Sequence, residues 1–93
     1  IGLSGVLILL DENGQLQSSK EFSSMFEQLI LGSKTVNFAM GPADGFSEEI
    51  RAEATHILSL SKMTMPHELA TVVFLEQLYR ATEIIRGNPY HRD

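Results

Sequence analysis

The chain has 93 residues, of which 43% are hydrophobic, and its formal net charge is −5 at pH 7. This size allows one domain with a modest core, and the absence of cysteine excludes disulfides, zinc–thiolate sites and a cysteine nucleophile. The longest unbroken apolar run, 6–10, is far too short to cross a bilayer, and the acidic balance argues against a broad nucleic-acid surface.

The first predicted element is a β-strand over 6–10. Its unbroken apolar character is typical of a strand in a parallel sheet that is covered on both faces. The next four residues, Asp11-Glu12-Asn13-Gly14, form a turn signal that could also close a hairpin. The segment after them lacks the alternation of a strand, and we interpret it as a loop.

A helix is predicted over about 20–31. Ser18 or Ser19 can cap it, and Glu21 completes a capping box if Ser18 is the cap. Gly32 is expected to end the helix. Apolar residues recur at helical spacing and are predicted to face the core: Phe22, Met25, Phe26, Leu29 and Ile30.

A second strand is predicted over 35–40, followed by the loop Gly41-Pro42-Ala43-Asp44-Gly45. Glycines at a strand-to-helix junction let a ligand approach the backbone. The spacing, however, matches neither a dinucleotide fingerprint nor a phosphate-binding loop, so a plain turn is the alternative. Ser47 is expected to cap a short helix, and a third strand is predicted over 56–60.

The last predicted element is a long helix that has Pro66 in its first turn, runs to about Arg86 and ends at Gly87. Its predicted apolar face contains Leu69, Val72, Val73, Leu78, Ile84 and Ile85. The tail beyond it, Tyr90-His91-Arg92, combines an aromatic ring with titratable and basic groups. Such a tail can stack on a base and contact phosphate, or it is a frayed terminus.

This order, β-α-β-α-β-α, predicts an α/β fold in a single domain over 1–93. Its parallel sheet is flanked by helices, and the loops that follow the strands lie at one edge. Ligands bind at that edge in folds of this class. Three strands are few for such a sheet, so we expect missing N-terminal strands or a tight partner, and the uncovered apolar surface predicts a homodimer. Ile1 in place of an initiator Met agrees with a processed chain or a piece of a longer one.

Two further sets of side chains were considered as sites. The histidines, His56, His67 and His91, are too scattered to predict a metal site. Positive charge is concentrated near the C-terminus, where the arginines Arg80, Arg86 and Arg92 are either a solvated face or contacts to RNA.

Three separated stretches carry a more specific signal. They are Leu-Ser-Leu-Ser-Lys-Met-Thr-Met-Pro-His at 58–67, Leu-Glu-Gln-Leu-Tyr-Arg-Ala at 75–81 and Ile-Arg-Gly-Asn-Pro-Tyr-His at 85–91. In this order they resemble the RlmH-type family of bacterial large-subunit rRNA pseudouridine N3-methyltransferases. That family belongs to the SPOUT class of knotted, S-adenosylmethionine-dependent enzymes. Asp11-Glu12-Asn13-Gly14 and the Gly41 loop fall where the family has two earlier loop motifs.

The resemblance implies a C-terminal trefoil knot, S-adenosyl-L-methionine as the methyl donor, and a homodimer with its active site near the subunit interface. It places the donor at Leu10, Gly41, Leu60, Ser61, Lys62, Met63, Thr64 and Met65. Tyr90 and His91 become the catalytic candidates, and Arg80, Arg86 and Arg92 the candidate contacts to RNA. No metal and no membrane is implied, and the ribosomal substrate implies the cytoplasm, or an organelle if the source is eukaryotic.

The mechanism that the resemblance implies is the attack of the pseudouridine N3 nitrogen on the donor's methyl group, with loss of the N3 proton. Proximity supplies much of the rate of such a reaction, and a base such as His91 could assist. Pro42 stands where the family has a second glycine, and Thr71 where it usually has arginine. The competing hypotheses are a non-catalytic dimerising or ligand-binding module of the same fold, and an unrelated nucleotide-binding α/β domain.

Overall fold

The computed structural model describes residues 5–32, 35–42 and 44–92. Its elements, in chain order, are β1 (Val6–Leu16), α1 (Ser19–Gly32), β2 (Val36–Met40), α2 (Glu48–Glu53), β3 (His56–Ser59) and α3 (His67–Arg86). The strands form one parallel sheet in the order β2-β1-β3. The predicted α/β class and the parallel sheet are therefore confirmed. Ala43, which belongs to the predicted Gly41 loop, lies outside the described residues.

Strand β1 differs from its prediction because it continues to Leu16, through residues interpreted as a turn and a loop. Leu10 and Gln15 both oppose Leu58 of β3, so residues 11–14 form a bulge in β1. Gly14 makes this possible. A Cβ atom there would lie 2.7 Å from the carbonyl oxygen of Ile57, and only glycine lets the two backbones come so close. The Asn-Gly pair therefore marks a bulge and not a hairpin.

The helix ends follow the local chemistry of the chain. The Ser18 hydroxyl accepts a hydrogen bond from the Glu21 backbone N–H (3.1 Å), and a Glu21 carboxylate oxygen accepts one from the Ser18 backbone N–H (2.7 Å), which confirms the capping box. Ser47 caps α2 as predicted. Gly87 ends α3 in the left-handed conformation, with φ 76°. Pro66, however, occupies the cap position before His67 and not the first turn.

The core lies where α1 and α3 pack on one face of the sheet. Its buried side chains are Ile8, Leu10, Phe22, Leu58, Phe74 and Ala81. The predicted core face of α1 is confirmed except for Ile30, which is exposed. The ring of Phe38 in β2 lies 4.8 Å from the ring of Phe74, which ties the sheet to α3.

The apolar face predicted for α3 is partly wrong. Leu69 and Val72 were expected in the core but are 49% and 62% exposed, whereas Phe74 and Ala81 are buried. The helix is apolar on more than one side, so its periodicity alone does not identify the face that packs on the sheet. The exposed α3 stripe, as we call it, consists of Leu69, Val72, Leu75 and Tyr79.

Candidate functional site

A cleft of about 670 Å³ lies at the edge of the sheet where the parallel strands end. It is lined by the β1 bulge, the loop after β2, the loop after β3 and the first turns of α3. Small-molecule sites in open α/β sheets lie at this edge, and this volume falls in the range of ligand pockets. The cleft is therefore the candidate binding site of the molecule.

Most of the predicted donor-binding residues line this cleft: Leu10, Gly41, Leu60, Ser61, Met63, Thr64 and Met65. Lys62 is exposed and lies outside the described lining. The loop after β3 is held in shape by its serines. The Ser59 hydroxyl donates to the Ser61 carbonyl oxygen (2.8 Å), and the Ser61 hydroxyl accepts from the Met63 backbone N–H (3.0 Å).

Glycine at position 41 allows a close contact inside the loop after β2. A Cβ atom there would lie 2.9 Å from the ring of Phe46, which follows in the same loop. The Pro42 carbonyl oxygen accepts a hydrogen bond from the Gly45 backbone N–H (2.9 Å), so the loop is a tight turn. Gly45 needs its glycine for a different reason, because its φ is 81°.

The β1 bulge brings a carboxylate into the cleft wall. One oxygen of Asp11 accepts from the Asn13 backbone N–H (3.0 Å), and the other is paired with Arg51 of α2 at 2.5 Å. The Asn13 hydrogen bond, together with Arg51, lowers the pKa of Asp11 against the opposing effect of burial. Asp11 is therefore a fixed negative charge at neutral pH.

A second carboxylate links the bulge to the loop after β3. Glu12 accepts a hydrogen bond from the Thr64 hydroxyl (3.2 Å), which joins two walls of the cleft. Asp44 and His67 also line the cleft. Because Arg51 balances the charge of Asp11, the acidic side chains that favour a positively charged ligand at this wall are Glu12 and Asp44. Sequence reasoning did not assign these residues to the site, although the Asp11-Glu12-Asn13-Gly14 motif pointed to the same loop.

The C-terminal tail is docked on α3, in contrast to a frayed terminus. The Tyr90 hydroxyl donates to a carboxylate oxygen of Glu76 (2.9 Å), and its ring stacks edge-on against Tyr79, with centroids 4.9 Å apart. The hydrogen bond to Glu76 raises the pKa of Tyr90, because it stabilises the neutral phenol.

Arg80 connects the rest of the tail to the same carboxylate. It donates to one Glu76 oxygen from Nη2 (2.7 Å) and from Nε (3.1 Å), and its Nη1 lies 3.1 Å from Nδ1 of His91. Its guanidinium carbon also lies 4.8 Å from the centre of the Tyr90 ring. These donated hydrogen bonds lower the pKa of Glu76.

The structure separates the two predicted parts of the site within one chain. Ala70 is the last α3 residue of the cleft lining, and Arg80 is ten residues further on, which is about 15 Å along a helix. The predicted RNA contacts also differ in environment. Arg80 is engaged by Glu76, Arg86 is 70% exposed near Glu83, and Arg92 is exposed.

In the ranges that the structure describes, no cluster of His, Cys, Asp or Glu side chains is arranged to hold a metal ion. No helix among the described residues combines the length and apolar character needed to cross a bilayer.

Comparison with known proteins bears directly on this site. A family model described as "Predicted SPOUT methyltransferase" matches residues 2–91. The chain is 47% identical over 87 residues to the ribosomal RNA large subunit methyltransferase H of Koribacter versatilis, covering 92% of this chain and 60% of that protein.

Other relatives with the same name give similar values. The protein of Coprothermobacter proteolyticus is 49% identical over 95% of this chain, which spans 64% of the relative. The protein of Methylocella silvestris is 47% identical over 94% of this chain, which spans 55% of the relative. The chain thus covers somewhat more than half the length of these relatives.

Proposed function

This chain belongs to the SPOUT methyltransferase family, and we propose that it is the donor-binding part of an enzyme that methylates N3 of a pseudouridine in large-subunit ribosomal RNA. The observation that carries the proposal is the cleft at the carboxyl edge of the sheet, whose lining contains residues from all three loops that the resemblance assigned to the donor. The tail residues Tyr90 and His91 serve the RNA side.

The chemistry of the cleft fits S-adenosyl-L-methionine. This donor supplies a methyl group on a positively charged sulfur, and Glu12 and Asp44 give the cleft wall the opposite charge. The apolar side chains Leu10, Leu60 and Met65 provide surface for the neutral part of such a ligand. Backbone groups of 60–65 supply the directional contacts, which agrees with the low charge of that loop.

Methyl transfer places three requirements on the protein. The donor must be held, the target base must be presented at the methyl group, and the N3 proton must leave as the new nitrogen–carbon bond forms and the carbon–sulfur bond breaks. We assign the first task to the cleft at the carboxyl edge of the sheet. Tyr90, His91 and Arg92 are suited to the second, because aromatic and cationic groups stack on bases and contact phosphates.

We propose that the active protein is a homodimer in which the tail of one subunit lies beside the cleft of the other. Two observations support this arrangement. The exposed α3 stripe presents four large apolar side chains to solvent. The tail also docks about 15 Å along α3 from the cleft of its own subunit, and Tyr90 contacts Tyr79 of that stripe. If the tail lies at the subunit interface, it can reach the cleft of the partner subunit although it is distant from the cleft of its own.

Further features follow from the family. We propose that the chain after β3 contributes to the trefoil knot, since residues 60–65 share one cleft with the β1 bulge and the loop after β2. We also propose that the sheet is completed by N-terminal strands outside this sequence. Because the proposed substrate is ribosomal, we also propose that the activity is cytoplasmic, or lies in an organelle if the source is eukaryotic.

The experiment combines donor binding with methyl transfer. Calorimetry with S-adenosyl-L-methionine measures the dissociation constant, and radiolabelled donor with unmethylated large ribosomal subunits measures turnover. A methyl group on N3 blocks Watson–Crick pairing, so primer extension locates the product. Binding without transfer by the intact gene product would favour the non-catalytic module, and failure to bind the donor would refute the proposal.

A further inference from the structure

Glu76 is a residue to which neither the sequence motifs nor the family comparison assigned a role, yet it is the centre of the tail contacts. Its side chain is 38% exposed, and its carboxylate accepts hydrogen bonds from Arg80, Tyr90 and the neighbouring Gln77. An ion pair at this exposure contributes little to stability. A carboxylate that holds two side chains around the C-terminal tail therefore calls for an explanation other than folding.

We propose that Glu76, acting through Arg80, is a positioning residue that docks Tyr90 and His91 on α3 and sets the tautomer of His91. This inference rests on the proposed methyl transfer for its catalytic part only. Glu76 is not among the residues that line the cleft, and it lies six residues, about 9 Å of helix, beyond Ala70, the last α3 residue of that lining.

Glu76 holds the guanidinium of Arg80 in one orientation. A guanidinium has five N–H donors and no acceptor, and it stays charged in proteins. Two of its nitrogens are directed to Glu76, which fixes the plane of the group and directs Nη1 to the tail. Without the carboxylate, the same side chain would be a flexible solvated cation. Glu76 therefore determines where the third nitrogen donates.

The contact between Nη1 of Arg80 and Nδ1 of His91, at 3.1 Å, determines the tautomer of His91. Because arginine can only donate, Nδ1 must be the acceptor and must lack a proton. A neutral imidazole with a bare Nδ1 carries its proton on Nε2. The docked tail thus holds His91 as the Nε2–H tautomer.

Tyr90 is held on α3 by Glu76, Tyr79 and Arg80. Its hydroxyl binds Glu76 while its ring lies against Tyr79 and under the Arg80 guanidinium. The aromatic ring is therefore fixed on two sides and by its polar end. Ordering these groups in the free protein removes an entropy cost that the RNA complex would otherwise bear.

The test uses Glu76→Gln in the intact gene product, with Glu83→Gln as the matched control. Glu83 lies two turns further along α3, and its carboxylate contacts Arg86 and Asn88. Both substitutions remove one charge from the same helix without changing side-chain volume. Three quantities are measured in each variant: the tautomer of His91, the titration of Tyr90, and the kinetics of methyl transfer.

Two of these readouts do not require activity. Long-range proton–nitrogen NMR of the labelled imidazole reports the tautomer of His91. The chain has two tyrosines, so a Tyr79→Phe background leaves the phenol absorbance of Tyr90 alone. The charged groups that face this phenol are Glu76 and Arg80. We expect Glu76→Gln to lower the pKa of Tyr90 and to give a mixture of the two neutral tautomers of His91. Glu83→Gln should change neither property. Arg80→Lys should also give a mixture of the His91 tautomers.

The kinetic expectation is a fall of roughly tenfold or more in kcat for Glu76→Gln, with a donor dissociation constant within about twofold of wild type. An unchanged Tyr90 titration and an unchanged His91 tautomer would overturn the docking role. Changed spectra with unchanged kcat would overturn the positioning role. A wild-type protein that shows the docked spectra but no methyl transfer would refute the proposed function and leave the docking established.

Discussion

The carboxylate of Asp11 and the guanidinium of Arg51 form an ion pair, with 2.5 Å between Oδ2 and Nη1, that joins the bulge of β1 to α2. The Asp11 side chain is only 8% exposed and lines the cleft. The pair therefore links the wall of the cleft to α2.

This pair predicts how stability depends on pH. The pKa of Asp11 is lowered in the folded chain, so its contribution is fully present above its unfolded value of about 3.9 and is lost as pH falls through the folded value. Urea unfolding between about pH 2 and pH 7 should show a loss of stability in wild type at the acid end. Asp11→Asn should be less stable at neutral pH by about 1–3 kcal/mol and should lack that part of the acid loss. Equal acid sensitivity in both proteins would contradict the assignment.

Gly14 is expected to be a stability determinant of the bulge. In Gly14→Ala the new methyl group would meet the carbonyl groups of Ile57 and Leu58 at 2.7 Å, so β1 and β3 must separate. We expect a cost of about 1–3 kcal/mol in urea unfolding, as for an overpacked core. Gly32→Ala is the control, because an added Cβ there has no described atom within 4 Å. Equal stability of the two variants would show that the bulge relaxes freely.

The helix ends that were predicted correctly have their hydrogen-bond partners close in sequence. The capping box of Ser18 and Glu21 spans three residues, and Gly87 ends α3 through carbonyl groups of its own last turn. The second half of β1 could not be predicted, because it is stabilised by β3, some 43 residues further along the chain. Its Gly14 is required by that distant backbone and carries no local strand signal.

The same reason explains what was missed in the candidate site. The residues of 60–65 came from a contiguous motif, whereas Asp11 and Arg51 come together only when the crossover from β2 to β3 places α2 beside the bulge. The face of α3 was ambiguous for another reason. Val72 and Leu75 are as apolar as Phe74, and no local property states that they remain exposed.

Pro42 is expected to weaken donor binding. It lines the cleft next to Gly41, and proline has no backbone N–H to offer a ligand. If a glycine at this position donates a hydrogen bond to the donor, Pro42→Gly should make the binding free energy measured by calorimetry more favourable by roughly 1–3 kcal/mol. Gly32→Ala, distant from the loop in the chain, serves again as the control. Unchanged affinity for Pro42→Gly would show that this N–H is not used.

The exposed α3 stripe is expected to form the dimer interface. Leu75→Glu places a charge in the middle of the stripe, where burial against a second copy would be costly. Sedimentation velocity should then show a monomer for this variant, whereas we expect a dimer for the wild type. Leu31→Glu is the matched control, because Leu31 is 76% exposed on α1 and should tolerate the charge. Dissociation by both variants, or by neither, would argue against the stripe as the interface.

His91 is expected to matter for methyl transfer and little for folding or donor affinity. It follows the end of α3, so it adds nothing to the buried core, and its described contact is to Arg80 and not to the cleft. His91→Ala should therefore lower kcat by roughly 10²-fold or more, which is the scale expected for the loss of a group at a reacting centre. The donor dissociation constant and the urea midpoint should remain close to wild type.

Arg92→Ala is a useful comparison, since it removes an exposed cation from the same tail and should weaken RNA affinity in a salt-dependent way. A His91→Ala protein with full activity on ribosomal RNA would remove the imidazole from the mechanism, and Tyr90 would then be the remaining candidate in the docked tail.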